Sequence, residues 1–427
     1  MEKVNIGLLG LGNVGIGVYN ILNLNSNKIN VLSNKEIVIT KILVNNLNKE
    51  RDISLAQNML TSNIDDILED SDIDIVVEVL GGLTPAYDYI KKALQKKKHV
   101  VTANKAVIAT YGKELLEIAS RNNVSLRYEA SVCGGIPVIS TLSNALSVNK
   151  FEELIGIVNG TTNYILTQMT DFGLDYDDVL EDAKRKGFAE ADPSSDVEGE
   201  DAAYKLSILL SLTFGVEVPP DAIPRQGITN ISKEDIQYAA QFGYKIKLLA
   251  AAKQLNNRLE YHVCPTLIKK NHPLSSVNNE FNALFLKGNA VGEIMLYGKG
   301  AGSMPTGSAV VSDIFEISRI MGSTLNPTVP IPMNNPENYE LVGNGTSEYY
   351  IHLIVEDKPG VLGMITTCFG DAGISIDAIV QQSRGDQYVP IVYIVHECPR
   401  VRLDQALSAI IKFKEVKEIK SVLQVRK

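Results

Sequence analysis

The residues Gly10-Leu11-Gly12-Asn13-Val14-Gly15 have the spacing G-x-G-x-x-G, between a strand-like run, Val4–Leu9, and a helical pattern from about Asn13 to Leu24. In that setting each glycine has its own task. Gly10 permits a tight turn, Gly12 clears a side chain from the path of a pyrophosphate, and Gly15 lets helix and strand pack closely. Asn13 and Val14 open the helix whose positive end favours the anion. The chemistry implied is that of a bound dinucleotide. A glycine-rich turn without a ligand is the structural alternative.

A second group could move protons. Thr102-Ala103-Asn104-Lys105 closes a strand, and ligands gather at the carboxyl ends of strands in open α/β sheets. A lysine at a helix start meets the positive end of the helix dipole, so solvation alone explains Lys105 poorly. The turn-rich loop Gly187-Phe188-Ala189-Glu190-Ala191-Asp192-Pro193 carries Glu190; eleven residues after Glu190 comes Asp201, and then Lys205. Asp201 and Lys205 are four apart and share one helix face. By spacing alone, a surface ion pair accounts for these two better than catalysis does. Oxidising an alcohol, however, needs a base for its proton while hydride leaves for a nicotinamide. A lysine serves if burial lowers its pKa, and a nearby carboxylate can hold a substrate ammonium or hydroxyl.

The elements that must position these groups fall into three regions. Residues 1–130 alternate strand and helix, with strands at 4–9, 37–44, 74–80, 99–103 and 124–129. This predicts a Rossmann-like doubly wound parallel sheet. Residues 131–304 combine helices at 176–186 and 201–212 with strand-like runs at 246–253, 259–267, 284–286 and 291–297. They predict an α+β domain with a mixed or antiparallel sheet. A helix near 305–322 returns to complete the first domain. The Pro/Asn-rich stretch within 323–347 reads as a linker. Residues 348–427 then follow the ferredoxin-like βαββαβ pattern, with strands at 349–355, 374–382, 388–395 and 416–424.

Composition narrows the class. With 41 basic and 50 acidic residues, the net charge of −9 argues against nucleic-acid and anionic-membrane binding. No apolar run approaches the length of a membrane span. The four cysteines form no C-x-x-C pair and no zinc-ligand spacing, as in a chain kept reduced. The expected location is the cytoplasm.

Several motifs resemble one family in order. The Gly7–Gly15 stretch, Thr102–Lys105, Tyr128–Pro137, Gly160-Thr161-Thr162-Asn163, Gly187–Pro193, Asp196–Lys205 and Gly298–Gly302 are together similar to homoserine dehydrogenase over residues 1 to about 322. The resemblance implies reversible NAD(P)H-dependent reduction of L-aspartate 4-semialdehyde to L-homoserine, on the route to threonine and methionine. It implies Lys205 as proton donor and acceptor, with Lys105 beside the nicotinamide and second in rank for that role. It makes residues 131–304 the substrate and dimerisation domain, and it places Gly187, Glu190 and Asp201 on the substrate's amino-acid group and Gly302 on the cofactor. It also implies a structural monovalent cation, sodium or potassium, at Glu129 and the backbone oxygens of Val132, Gly134 and Ile136.

One departure bears on the cofactor. Many members carry Arg-Asp where this chain has Asn45-Asn46. No acid waits for a ribose 2′-hydroxyl, and Lys49 or Arg51 could meet a 2′-phosphate. The reading therefore leans to NADP over NAD without settling it. The C-terminal Asp357-Lys358-Pro359-Gly360-Val361-Leu362 and Gly373-Ile374-Ser375-Ile376 resemble an ACT domain, an amino-acid-sensing module. That implies an amino-acid effector, threonine by analogy, and a homodimer or homotetramer; a purely dimer-forming domain is the alternative.

Two rival functions remain. Another nicotinamide-dependent semialdehyde dehydrogenase would need a cysteine nucleophile with a basic partner; Cys133 sits in a glycine turn, but no histidine is near it in sequence. A non-catalytic dinucleotide and amino-acid sensor would have no use for Lys105, Glu190, Asp201 and Lys205.

Overall fold

The β-branched runs of the first 130 residues build one parallel sheet. The computed structural model describes all residues except 52, 57, 322–338, 382–386 and 427. In it, β1 (Glu2–Leu9), β2 (Lys35–Leu43), β3 (Leu60–Thr61), β4 (Ile75–Glu78), β5 (His99–Thr102) and β6 (Leu126–Arg127) lie in the order β3-β2-β1-β4-β5-β6. β1 is central: Val4 and Ile6 are in register with Ile37 and Ile39 of β2, and Ile6 and Leu8 with Ile75 and Val77 of β4. Helices cover both faces, which is why these strands are apolar throughout rather than alternating. Ile6, Leu8, Ile75 and Val77 are buried in one core with Val18 and Ile21 of the helix Asn13–Leu24 and with Val310, Ile314 and Ile317 of the helix Ser303–Ile320. Strand order reverses between β1 and β4, and the crevice at their carboxyl ends is the ligand position of such sheets.

The returning helix touches the first one backbone to backbone. A Cβ on Gly17 would lie 2.0 Å from the Ser303 carbonyl oxygen, and one on Gly307 would lie 2.7 Å from the Gly17 carbonyl carbon. Only glycine fits either place. The strand expected over 124–129 shortens to β6, because the chain leaves the sheet for a 3₁₀ turn at Glu129–Ser131. β3 has two residues, too few to show a period of two in sequence.

The chain divides into two units. One holds residues 1–151, 204–220 and the described part of 288–336; the other holds 152–203, 221–287 and the described part of 337–427. The middle region, 131–304, thus contributes to both. The second sheet has β7 (Phe151–Ile157), β8 (Tyr244–Leu255), β9 (Arg258–Lys269) and β10 (Phe281–Gly288); β11 (Gly292–Lys299) follows β10 in the chain. It continues through β12 (Glu340–Gly343), β13 (Thr346–Glu356), β14 (Ile376–Gln381), β15 (Tyr388–Pro399) and β16 (Val416–Arg426). In the second unit the order runs β10-β7-β8-β9-β16-β13-β15-β14, with β12 beside β9. Pairing is mixed: β7, β8 and β9 are antiparallel, and β16 and β12 join β9 in parallel. Of the expected linker, 323–338 lie outside the described residues, Glu340–Gly343 pairs with β9 as β12, and β13 begins at Thr346. Residue 382 of the strand expected at 374–382 is also outside them.

Strands β13–β16 stand in sheet order β16-β13-β15-β14, with the helices Val361–Asp371 and Arg400–Ile410 packed on a core of Tyr349, Ile351, Phe369, Tyr393 and Leu403. This is the ferredoxin-like arrangement that the sequence pattern predicts. The helix Lys233–Gln241 is fastened to these strands through the buried Asp235. One Asp235 oxygen accepts from Tyr350 Oη (2.9 Å), His352 Nδ1 (2.8 Å) and Ser421 Oγ (2.7 Å). The other closes a capping box with Ser232. No helix among the described residues is long and apolar enough to cross a membrane.

Candidate active site

The glycine loop has the geometry its spacing demands. Gly10 has φ +102°, a Cβ on Gly15 would lie 2.3 Å from the Gly10 carbonyl oxygen, and a Cβ on Gly12 would meet nothing within 4 Å. The first two features fold the loop, and the third leaves the open cradle a pyrophosphate needs. Asn13 and Val14 begin the helix, and the Asn13 carbonyl accepts from Ser303 Oγ at 2.6 Å. Gly302, with φ +119°, is the residue before that serine and the N-cap of its helix. The structure therefore brings Gly302 to the glycine loop. The residues present fit a dinucleotide.

At the carboxyl ends of β4 and β5 lies a network the sequence reading missed. Glu78 is fully buried; its carboxylate accepts from the Leu80 N–H (2.7 Å), the Gly81 N–H (3.3 Å) and Thr102 Oγ1 (2.5 Å). Burial raises its pKa, opposed by those three donors. Asn104 extends the network: its N–H donates to Thr102 Oγ1 (3.0 Å), its amide to the Gly82 carbonyl (2.6 Å), and its Oδ1 caps the helix by accepting from the Val107 N–H (3.2 Å). The capped helix starts at Lys105, which is half-buried. Lys105 is thus held by a cap that is tied to the Gly81-Gly82 turn. The available signal was a carboxylate ending an otherwise apolar strand, Ile75-Val76-Val77-Glu78.

The residues expected on the substrate side lie near Asn159. Asn159 caps the helix Gly160–Phe172 by accepting from the Thr162 N–H at 2.9 Å. Its amide donates to Asp201 Oδ2 (2.8 Å) and Asp196 Oδ1 (2.7 Å). Thr161 Oγ1 bridges Asp196 Oδ2 (2.9 Å) and the Phe188 carbonyl (2.7 Å). One polar network therefore joins Asp201, which is 2% exposed, to the loop that carries Gly187 and Glu190. Gly187 has φ +76° and faces open space, and Glu190 is exposed. Lys205 is half-buried on the helix Glu200–Phe214, one turn after Asp201. Asp201 is buried and accepts from Asn159, so its carboxylate is not on the surface. Asn159, Thr161 and Asp196 had no assigned role in the sequence; the helix-start signature Asn-Gly-Thr-Thr could have marked the first.

The Tyr128–Pro137 turn contains a second buried carboxylate. Glu129 accepts from the backbone N–H groups of Ile139 and Ser140, both at 2.7 Å, and its own N–H donates to Asp313 at 2.8 Å. Burial raises the pKa of Glu129. Burial, and then the charge of Glu129, push Asp313 up to about 8. Val132, Gly134 and Ile136 are buried, Gly134 has φ +49°, and a Cβ on it would strike the Gly300 carbonyl oxygen at 2.3 Å. The Ile136 carbonyl accepts from the Val138 N–H at 2.7 Å. Cys133, the cysteine that a rival semialdehyde dehydrogenase would need, is fully buried. Among the described residues, no group of three or more His, Cys, Asp or Glu is placed to hold a metal.

Fold and site define a nicotinamide-dependent oxidoreductase carrying a small ferredoxin-like module. Three family models match: homoserine dehydrogenase, NAD binding domain, over residues 10–129; homoserine dehydrogenase over 137–315; and the ACT domain over 349–415. The homoserine dehydrogenase of Bacillus subtilis is 40% identical over 427 residues, covering 100% of this chain and 99% of that protein. The crystal structure of a homoserine dehydrogenase from Thiobacillus denitrificans superposes with TM-score 0.93 at 39% identity, covering 100% of this chain and 99% of that one. A hyperthermophilic archaeal homoserine dehydrogenase in complex with NADPH matches 74% of this chain and 98% of its own, with TM-score 0.61 at 27% identity. The chain belongs to the homoserine dehydrogenase family, and it is an NAD(P)-dependent oxidoreductase with a C-terminal ACT domain.

Proposed function

We propose that Lys205 is the acid/base group for the interconversion of L-aspartate 4-semialdehyde and L-homoserine, with Lys105 beside the reacting carbonyl. In the reducing direction a bound dihydronicotinamide would supply hydride to the carbonyl carbon, and the Lys205 ammonium would give the oxygen its proton. The observation that carries this reading is the Asn159 network, which pins Asp201 one turn before Lys205 and ties it to the Glu190 loop. Asp201 and Glu190 would hold the substrate ammonium, and Gly187 would leave room for it. The test is oxidation of NADPH and NADH by the full chain with L-aspartate 4-semialdehyde, repeated with threonine present. Turnover with loss of rate on adding threonine is expected. No turnover with either nucleotide would overturn the reading.

The cofactor we favour is NADP. Arg51 is tied down beyond β2, donating to the Asn46 carbonyl (2.7 Å) and the Lys49 carbonyl (2.6 Å). No acid follows β2 at Asn45-Asn46, where NAD enzymes of this fold keep one, and Arg51 lies in the loop just beyond. The NADPH complex of the archaeal relative agrees with this preference. A monovalent cation at Glu129 and the carbonyls of Val132, Gly134 and Ile136 would offset the cost of a buried carboxylate, since each oxygen keeps a second lone pair beside its N–H contact. Threonine remains the effector proposed for the turn at Asp357–Leu362, where Gly360 (φ +91°) opens on free space at a helix start. The exposed Leu362 and Met364 offer a surface for pairing with a second copy.

Glu78 is a positioning residue in this scheme. Replacing Glu78 by Gln keeps an acceptor for the Leu80 and Gly81 N–H groups but turns a donor toward Thr102. The helix cap at Asn104 then loses its fixed anchor. A fall in kcat of about tenfold is expected from the displaced Lys105, with the KM for the semialdehyde little changed. A purely structural role would lower the melting temperature and leave the kcat of the folded enzyme intact. Steady-state kinetics beside a thermal melt separates the two.

A further inference from the structure

The second unit contains a cavity of about 340 Å³ that none of the roles above uses. Its origin is topological. β9 pairs with β12 along Arg258–Tyr261 and with β16 along Thr266–Ile268, and the chain passes between these stretches as it turns from β12 into β13. The floor is the face of β7, β8 and β9. There the register sets Glu153, Lys253 and Glu260 in one row and Ala251 beside His262 in the next. Ala251 is too short to fill the space above it. The walls come from the start of β13, from Glu397 of β15 and from Arg426 of β16, which is ion-paired with Glu153.

The lining carries both signs of charge. Glu153, Glu260, Glu348 and Glu397 supply four carboxylates, against the two cations Lys253 and Arg426. Burial pushes the His262 imidazole down to about 4, so it adds hydrogen-bonding capacity and no charge at neutral pH. The carboxylates are not placed to hold a metal, and their excess excludes a phosphorylated ligand. A cavity near 300 Å³ is the size of a small-molecule site. A ligand with an ammonium and a carboxylate a few ångströms apart satisfies both kinds of wall.

We infer that this cavity binds a free α-amino acid as its zwitterion. The carboxylate meets Lys253 and Arg426, and the ammonium meets Glu260, Glu348 and Glu397. The site is separate from the turn at Asp357–Leu362. The two lie at opposite ends of β13, an eleven-residue strand and therefore about 30 Å apart. A ligand here touches the ACT strands and the β7–β9 sheet together, so its binding stabilises their junction.

Calorimetric titration and thermal melts of the full chain with L-threonine, L-homoserine, L-methionine and L-lysine, each singly to millimolar concentration, test this. At least one should bind and raise the melting temperature in the wild type and equally in Asp357→Ala. The same amino acid should bind about tenfold or more weakly to Lys253→Ala and to Glu397→Gln. Both altered side chains sit on exposed residues, so the variants keep their core. Three results would overturn the inference: no binding by any of the four, binding abolished by Asp357→Ala alone, or binding undiminished in both cavity variants.

Discussion

Lys205→Ala is expected to lower kcat by about 10² or more, with little change in the KM for either substrate, because a positioned proton donor contributes typically 10²–10⁴. The loss belongs in kcat because the amine acts on the developing alkoxide, not on the ground-state aldehyde. Lys205→Arg should rescue little: a guanidinium keeps its proton at any working pH. Lys105→Ala is the control. If Lys105 lies against the nicotinamide, its removal costs less in kcat and raises the KM for the nucleotide. Near-normal turnover in Lys205→Ala together with collapse in Lys105→Ala would exchange the two roles. Asp201→Asn separates the substrate contact from the proton transfer. It should raise the KM for homoserine, since the amide cannot pair with the substrate ammonium, and it should lower kcat less than Lys205→Ala does.

How much of this was legible in the sequence depended on whether the signal was local. Gly10, Gly12 and Gly15 act within six residues, and their spacing alone announced the turn, the open cradle and the tight packing that the structure shows. The alternation of β-branched runs with helices likewise made the parallel sheet readable, as did the βαββαβ order of the ACT strands. Glu78 showed only as a carboxylate ending an apolar strand; its function was not readable, because it is a contact with Thr102, 24 residues away. Asn159 reaches Asp201 across 42 residues. Chain spacing carries no trace of either contact.

Element errors had the same kind of cause. The helix Gly160–Phe172 begins with Gly, Thr, Thr and Asn, all weak helix formers. It is helical because Asn159 caps it and Tyr164, Ile165, Leu166 and Met169 are buried. β7 escaped notice since Glu152 and Glu153 interrupt its apolar run; Glu153 is paired with Arg426 of β16, at the far end of the chain. β12 lay hidden behind a proline-rich stretch that read as linker. The helix Lys233–Gln241 was missed although Ser232 and Asp235 spell a capping box that could have found it.

Asp235 does more than cap that helix, and its removal is expected to have the largest effect on stability. Asp235→Ala leaves the donors of Tyr350, His352 and Ser421 facing a dry gap, at a cost of about 3 kcal/mol or more. The midpoint of thermal unfolding should fall accordingly, and Asp235→Asn, which keeps one acceptor, should fall less. The pH dependence identifies the cause. Burial drives the Asp235 pKa up, but the contacts with His352 and the serine hydroxyls outweigh it and hold the carboxyl at about 2. An ordinary aspartate titrates near 4. A carboxylate depressed in the fold contributes stability that is complete above about pH 4 and lost as pH falls toward 2. The gap between wild type and Asp235→Ala should therefore be widest near neutrality and close on acidification. A gap that stays constant to the acid limit would mean that Asp235 acts by filling space, not by its charge. Because the anchor joins the helix Lys233–Gln241 to β13 and β16, loosening it should also weaken any effect of an ACT ligand on turnover while leaving uninhibited turnover near the wild-type rate.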